Sequence, residues 1–264
     1  VTVGNKLFFS ANYGTFGNEL WVSDGTEART IRLTDINPGA GTSNPRELVA
    51  YKGEVFFTTS SGGVYRTDGT VAGTVQFNVN SWINRLAVND DYLFLGSSNG
   101  SLYVSDGTLA GTTQVVDSNG LVPRNPQISG QIPTDSNGTV YFSGKTDEHG
   151  TELWKTDGTA AGTQLVKDIH PGTYILDSVE HPYGSSPSNL TMVGDLLYFT
   201  ANDGTTGKEL WRSDGTEAGT YLVKDISSND GSFDLGELTA VGDQRFFRAY
   251  TSAGHEMLVS AGTY

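Results

Sequence analysis

The octapeptide Glu19-Leu-Trp-Val-Ser-Asp-Gly-Thr26 returns as Glu152-Leu-Trp-Lys-Thr-Asp-Gly-Thr159 and as Glu209-Leu-Trp-Arg-Ser-Asp-Gly-Thr216. Two shorter copies, Val64-Tyr-Arg-Thr-Asp-Gly-Thr70 and Leu102-Tyr-Val-Ser-Asp-Gly-Thr108, lack the Glu-Leu-Trp lead. A sixth, Glu256-Met-Leu-Val-Ser-Ala-Gly-Thr263, carries Ala261 where the others carry aspartate. Self-similarity at intervals of 38 to 57 residues is the mark of a repeat architecture and has to be read before any single element.

The best-preserved copy shows what one repeat is. Leu190-Thr-Met-Val193 is a short apolar run, Gly194-Asp195 a turn, and Leu196-Leu-Tyr-Phe-Thr-Ala201 a second run rich in aromatic and β-branched side chains. Asn202-Asp-Gly204 signals a hairpin, Glu209-Leu-Trp-Arg-Ser213 alternates across two faces as a strand must, and Thr220-Tyr-Leu-Val-Lys-Asp-Ile226 is a fourth run beyond the Asp-Gly-Thr turn. Four strands in about 40–50 residues make one propeller blade. A small sheet with two apolar faces cannot bury both alone, and stacking blades radially covers each face with a neighbour. The expected fold is therefore all-β: a single six-bladed β-propeller domain over 1–264, of four-stranded antiparallel blades near 1–36, 47–79, 85–117, 127–169, 189–226 and 237–264. The sixth blade is expected to have three strands, because the chain stops at Tyr264 just past the third. No apolar pattern of helical period runs beyond ten positions.

Composition narrows the partners. Sixteen basic residues against 30 acidic give a net charge of −14, which argues against nucleic acid or an anionic membrane as a partner. No run approaches the ~20 apolar residues of a spanning helix, so no membrane insertion is expected. The absence of cysteine leaves the compartment open, since a repeat protein with a continuous core needs no disulfides. The chain begins at Val1 and reads as a mature or excised piece, a monomeric domain of something longer.

The motif residues each admit two readings. Asp24, Asp68, Asp106, Asp157 and Asp214 suit a tight turn: the carboxylate accepts N–H bonds two residues on, and the glycine supplies the backbone angle. A Ca²⁺ ion is the candidate cofactor for such oxygen-rich turns, although a calcium loop clusters several carboxylates and each turn here has one. Trp21, Trp154 and Trp211, replaced by Tyr65, Tyr103 and Leu258 in the other copies, read as wedges filling the space between blades or as platforms for sugar rings. Trp82 stands outside the motif, between blades two and three, and is expected at the surface. Glu19, Glu152, Glu209 and Glu256 share the face of the aromatic position and need partners if buried: backbone N–H groups, or Lys and Arg of a neighbouring blade. A glycosidase pair would need two of them about 5–10 Å apart, and nothing in the sequence joins two. His170 and His181 lie in the longest crossover with Asp177 and Glu180 between them, a candidate metal or ligand site without diagnostic spacing. No phosphate-cradling loop, nucleophile elbow or Ser/His/Asp order is present.

Glu-Leu-Trp-x-x-Asp-Gly-Thr followed by Ala-Gly-Thr and Leu-Val-Lys-Asp-Ile resembles the ELWxxDGT repeat of bacterial surface and secreted proteins. Residues 152–169 and 209–226 carry the resemblance almost position for position, and the six copies extend it over the whole chain. It implies an extracellular or cell-surface location and part of a larger exported protein. The leading expectation is a non-enzymatic binding module, with a glycan or an extracellular surface protein as partner and no catalytic residues. The alternatives are a propeller enzyme, a metal-assisted lyase, hydrolase or lactonase working at the central channel, and a purely structural spacer.

Overall fold

The computed structural model describes residues 1–39, 41–124, 130–131, 133–225, 236–241, 244–251 and 254–260, with side chains for 1–39, 41–124 and 133–225. The fold is all-β and of the β-propeller class, with six blades following one another along the chain. Blade one is β1 (Thr2–Val3), β2 (Lys6–Asn12), β3 (Asn18–Ser23) and β4 (Ile31–Arg32), paired in that order. Blade two repeats the order with β5 (Arg46–Tyr51), β6 (Glu54–Thr58), β7 (Val64–Thr67) and β8 (Val75–Gln76). Blade three has β9 (Ile83–Val88), β10 (Leu93–Ser97), β11 (Leu102–Ser105) and β12 (Thr113–Gln114), and β13 (Gly130–Gln131) lies parallel against β9.

Blade four is a three-stranded sheet, β14 (Val140–Thr146), β15 (Gly150–Thr156) and β16 (Gln164–Lys167), with a single bridge from Thr134 to Val140 at the edge where a first strand was expected. Part of the segment read as that strand, 127–129, lies outside the described residues. A separate hairpin follows, β17 (Thr173–Leu176) and β18 (Val179–Pro182). Blade five is β19 (Ser188–Val193), β20 (Leu196–Asn202), β21 (Lys208–Ser213) and β22 (Tyr221–Lys224). Blade six has three described strands, β23 (Gly236–Val241), β24 (Gln244–Thr251) and β25 (Gly254–Ser260), as expected; Ala261 lies outside the described residues, as do the side chains of Glu256 and Leu258. The chain divides into two compact units, 1–115 with 128–132 and 116–127 with 133–264, so blades one to three belong to the first and blades four to six to the second.

Blades one to five are each pinned at the third turn by the same hydroxyl circuit. Asp24 Oδ1 accepts from Thr26 N at 3.0 Å and Thr26 Oγ1 at 2.7 Å, and Asp68, Asp106, Asp157 and Asp214 repeat the pair of bonds with Thr70, Thr108, Thr159 and Thr216. The intervening glycine has φ between 83° and 93° in all five, a left-handed backbone closed to most side chains. Four residues on, Thr30, Thr74, Thr112, Thr163 or Thr220 donates back to the threonine carbonyl at 2.6–2.7 Å. The threonine hydroxyl, more than any other influence, holds all five aspartates below the usual carboxylate range. The glycine of the following Ala-Gly-Thr has a steric purpose: a Cβ at Gly73, Gly111, Gly162 or Gly219 would run into the aspartate carboxylate.

Blades then pack face to face. In the first unit Phe8, Leu20, Val22 and Leu33 of blade one meet Val55 and Phe57 of blade two, and Val49, Tyr51, Phe56 and Val64 of blade two meet Ile83, Leu86, Leu93 and Leu95 of blade three. In the second unit Tyr141, Leu153, Val166 and Ile169 of blade four meet Leu197, Phe199, Ala201 and Trp211 of blade five. Lysine tethers run from one blade to the turn of the next: Lys6 Nζ to Asp68 O at 3.4 Å, Lys52 Nζ to Asp106 O at 3.2 Å, and Lys155 Nζ to Gly215 O at 2.9 Å.

Candidate functional site

The repeated side chains are consumed by architecture. Trp154 and Trp211 are only 2% and 6% exposed, each opposite a phenylalanine on the neighbouring strand (Phe142 and Phe199), so neither offers a face to a sugar. Trp21, opposite Phe9, is half-buried beside Tyr13 at 5.9 Å between ring centroids. For Trp154 and Trp211 the burial fits the wedge reading; Trp21 keeps part of its surface open. Their indole N–H groups are buried and without a partner among the described residues.

Glu19 and Glu152 are fully buried, and their partners are backbone N–H groups and serine and threonine hydroxyls, not Lys or Arg. Glu19 accepts from Thr34 Oγ1 at 2.8 Å, Ile36 N at 3.4 Å, Ser43 N at 3.1 Å and Ser43 Oγ at 2.8 Å. Glu152 accepts from Ile169 N at 3.2 Å, His170 N at 3.4 Å, Ser185 N at 2.8 Å and Ser185 Oγ at 2.5 Å. Each carboxylate thus clasps both ends of the crossover leading to the next blade. The serine carbonyl in turn accepts from Ser60 N or Asn202 N of that next blade, both at 2.9 Å. Glu209 is equally buried. Burial pushes the Glu152 carboxyl up to about 7, against the downward pull of its four donors. The crossover approaches so closely that Gly17 and Gly150, both left-handed, have no room for a Cβ against Gly41 O and Tyr183 O.

His170 and His181 are brought together with aromatic rings and not around an ion. His170 stacks on Tyr183 at 4.6 Å and 3° with its Nε2 edge against Gly204, where a Cβ would collide, and His181 faces Tyr174 across the hairpin at 5.5 Å. Asp177 forms the hairpin turn and Glu180 accepts from Thr173 Oγ1 at 2.6 Å. Among the described residues no group of three His, Cys, Asp or Glu could hold a metal.

Trp82 differs from all of these. Its side chain is 56% exposed, although its backbone is fixed: its carbonyl accepts from Ser98 N at 2.9 Å, and Ile83 beside it is fully buried. A Cβ on Gly62 would strike Cδ2, Cε2 and Nε1 of the indole together, so one face of the ring system lies flat on the Gly62 backbone. Gly62 can accept it because it has no side chain and sits at φ 78°, in the tight turn where Gly62 N donates to Thr59 O at 3.0 Å. The indole borders a cavity of about 260 Å³ lined by Ser61, Gln76, Asn78, Ser81 and the glycines, over a floor of Val64 and Phe77. Ser61, Gln76 and Asn78 are exposed there, and the lining contains no charged side chain. A tethered aromatic face beside amides and hydroxyls has the chemistry of a site for a neutral polyhydroxylated ring. Sequence reasoning had singled out Trp82 but not its neighbours. The Ser-Gly-Gly hairpin at 61–63, clipped relative to its counterparts in blades one, four and five, was the available signal.

No family model and no curated protein matches the chain. Among solved structures, a prolyl endopeptidase superposes with a TM-score of 0.59 at 10% identity, covering 99% of this chain and 40% of its own. The computationally designed Ika8 protein gives 0.54 at 15% identity, covering 99% and 70%. This chain therefore spans well under half of the prolyl endopeptidase it resembles, and both likenesses concern the fold alone. No helix among the described residues is long and apolar enough to cross a membrane.

Proposed function

We propose that this protein is a non-enzymatic binding module that recognises a neutral glycan at the Trp82 cleft. The observation that carries the reading is the Trp82 ring, between blades two and three, fixed on one face and exposed on the other, beside uncharged hydrogen-bonding groups. A pyranose stacks its C–H face on an indole, while amide and hydroxyl side chains take its hydroxyls. The turn aspartates, Glu19, Glu152, Trp154 and Trp211 are already committed to turns, crossovers and blade packing, which favours the clefts at blade junctions for recognition. The ELWxxDGT-like repeat supports an extracellular or cell-surface setting within a larger exported protein.

The test is a neutral-glycan array followed by titration of the best binder, monitored by fluorescence and by the Trp82 indole N–H resonance. Binding should shift that resonance and be lost at least tenfold in Trp82→Ala, with the melting temperature unchanged. Silence across the array, or a hit that the variant binds equally well, refutes the assignment.

A further inference from the structure

The hairpin β17–β18 stands outside every blade, in the second unit, and among the described residues no further strand pairs with either of its edges. Its turn, Asp177-Ser178, has φ of 51° and 65°, the two-residue turn that brackets a hydrogen-bonded pair. Leu176 and Val179 are that pair, and Tyr183 N donates to Gly172 O at 3.0 Å four positions further down each strand. Bonded pairs alternate with unbonded ones in an antiparallel ladder, so 172/183, 174/181 and 176/179 face inward. The main-chain groups of Thr173 and Ile175 consequently point out from the β17 edge, and they bond to nothing else among the described residues. The opposite edge is blunted, because Pro182 has no N–H to offer.

The side chains around that edge are apolar and acidic. Ile175 is 69% exposed, Leu176 and Val179 are exposed at the tip, and Tyr174 is 41% exposed beside His181. The segment 170–188 carries Asp177 and Glu180 and no Lys or Arg. We propose that the β17 edge receives an extended segment of a partner protein with alternating basic and apolar side chains, added as a third antiparallel or parallel strand. Main-chain bonds to Thr173 and Ile175 would set its register, the apolar residues would cover Tyr174 and Leu176 on one face of the hairpin, and the cations would meet Glu180 on the other, beside Ile175, with Asp177 at the turn adding its charge. A second copy of this chain is the wrong occupant, since it would bring a net charge of −14 and the same two carboxylates to the contact. Adding a third strand also converts a marginal two-stranded ribbon into a sheet.

The probe is an end-capped heptapeptide alternating lysine and valine, titrated into the 264-residue chain at low and physiological salt, with amide hydrogen exchange as readout. The Thr173 and Ile175 amides should exchange at least tenfold more slowly with peptide, and Glu180 N–H should be unaffected. Ile175→Pro, which removes one outward donor, should abolish the effect while Tyr174 and Tyr183 ring shifts stay in place. The pair Asp177→Lys and Glu180→Lys should transfer the preference to a glutamate–valine peptide. The proposal is overturned if neither amide slows at millimolar peptide, if the glutamate–valine peptide protects the native chain equally, or if the amides slow with protein concentration alone, which would name a second copy as the occupant.

Discussion

Glu152→Gln isolates the energetics of a buried carboxyl that serves structure. The ordinary carboxyl value of 4.5 is raised to about 7 in the folded protein, chiefly by burial. The folded state therefore holds the proton more tightly than the unfolded chain does. That contribution is fully present below pH 4.5, shrinks as the pH rises, and is gone above about 7. At about 1.4 kcal/mol for each tenfold change in proton affinity, the span corresponds to roughly 3 kcal/mol. Glutamine keeps the size and one acceptor oxygen but does not titrate. Its NH₂ group meets a donor, either Ser185 or a backbone N–H, which lowers the variant's stability by an amount independent of pH, so the native protein should lead at low pH and lose that lead as pH rises. Urea unfolding followed by tryptophan fluorescence, with Trp154 and Trp211 in the same unit as reporters, gives stability at steps from pH 4 to 8. The difference between the two proteins should close by roughly 3 kcal/mol across that range, while the turn aspartates, common to both, cancel. A difference that stays flat, or that widens as pH rises, would show that the four donors outweigh desolvation and that the carboxylate is ionised throughout.

Gly219→Ala should destabilise the protein by about 1–3 kcal/mol, since its Cβ meets the Asp214 carboxylate, and thermal melting reads the loss directly. Restoring room with Gly219→Ala and Asp214→Ala together should recover less than the clash costs, because Thr216 then loses its acceptor. Gly62→Ala should dislodge Trp82 from its seat without unfolding blade two, visible as a shifted indole emission and a weakened glycan signal. Ser178→Gly relieves a left-handed non-glycine backbone and should tighten the hairpin by about 0.5–1 kcal/mol, read as slower exchange of the Val179 amide.

Local chemistry was legible and distant chemistry was not. The Asp-Gly-Thr turns declare themselves because donor, acceptor and glycine lie within three residues, and the observed bonds are the ones that spacing requires. The blade count followed from the period. The partners of Glu19 and Glu152 could not be read, because Ser43 and Ser185 sit 24 and 33 residues away, in crossovers of unequal length. Gly17, Gly150 and Gly207 each stand two residues before the glutamate with a left-handed φ, and at Gly17 and Gly150 the returning crossover also leaves no room for a Cβ. The β17–β18 hairpin was hidden by its turn, since Asp177-Ser178 lacks the glycine that usually advertises a left-handed bend. His170 and His181 were grouped by sequence proximity, whereas in the fold His170 stacks on Tyr183 and His181 lies tilted against Tyr174 across the hairpin.

The glutamate clasp also puts the duplicated segment and the self-sufficient segment out of phase. What was copied along this chain begins near an inner strand and ends at an outer one, but a copy so bounded would strand its carboxylate in the interior with half its donors missing. A stretch that contains Glu19 is complete only when it reaches Ser43, already at the threshold of the following copy. Shuffling, trimming or grafting of such repeats should therefore cut beyond the serine; cuts at the visible motif boundary would leave the pieces carrying Glu19 and Glu152 with a carboxyl short of its serine donors.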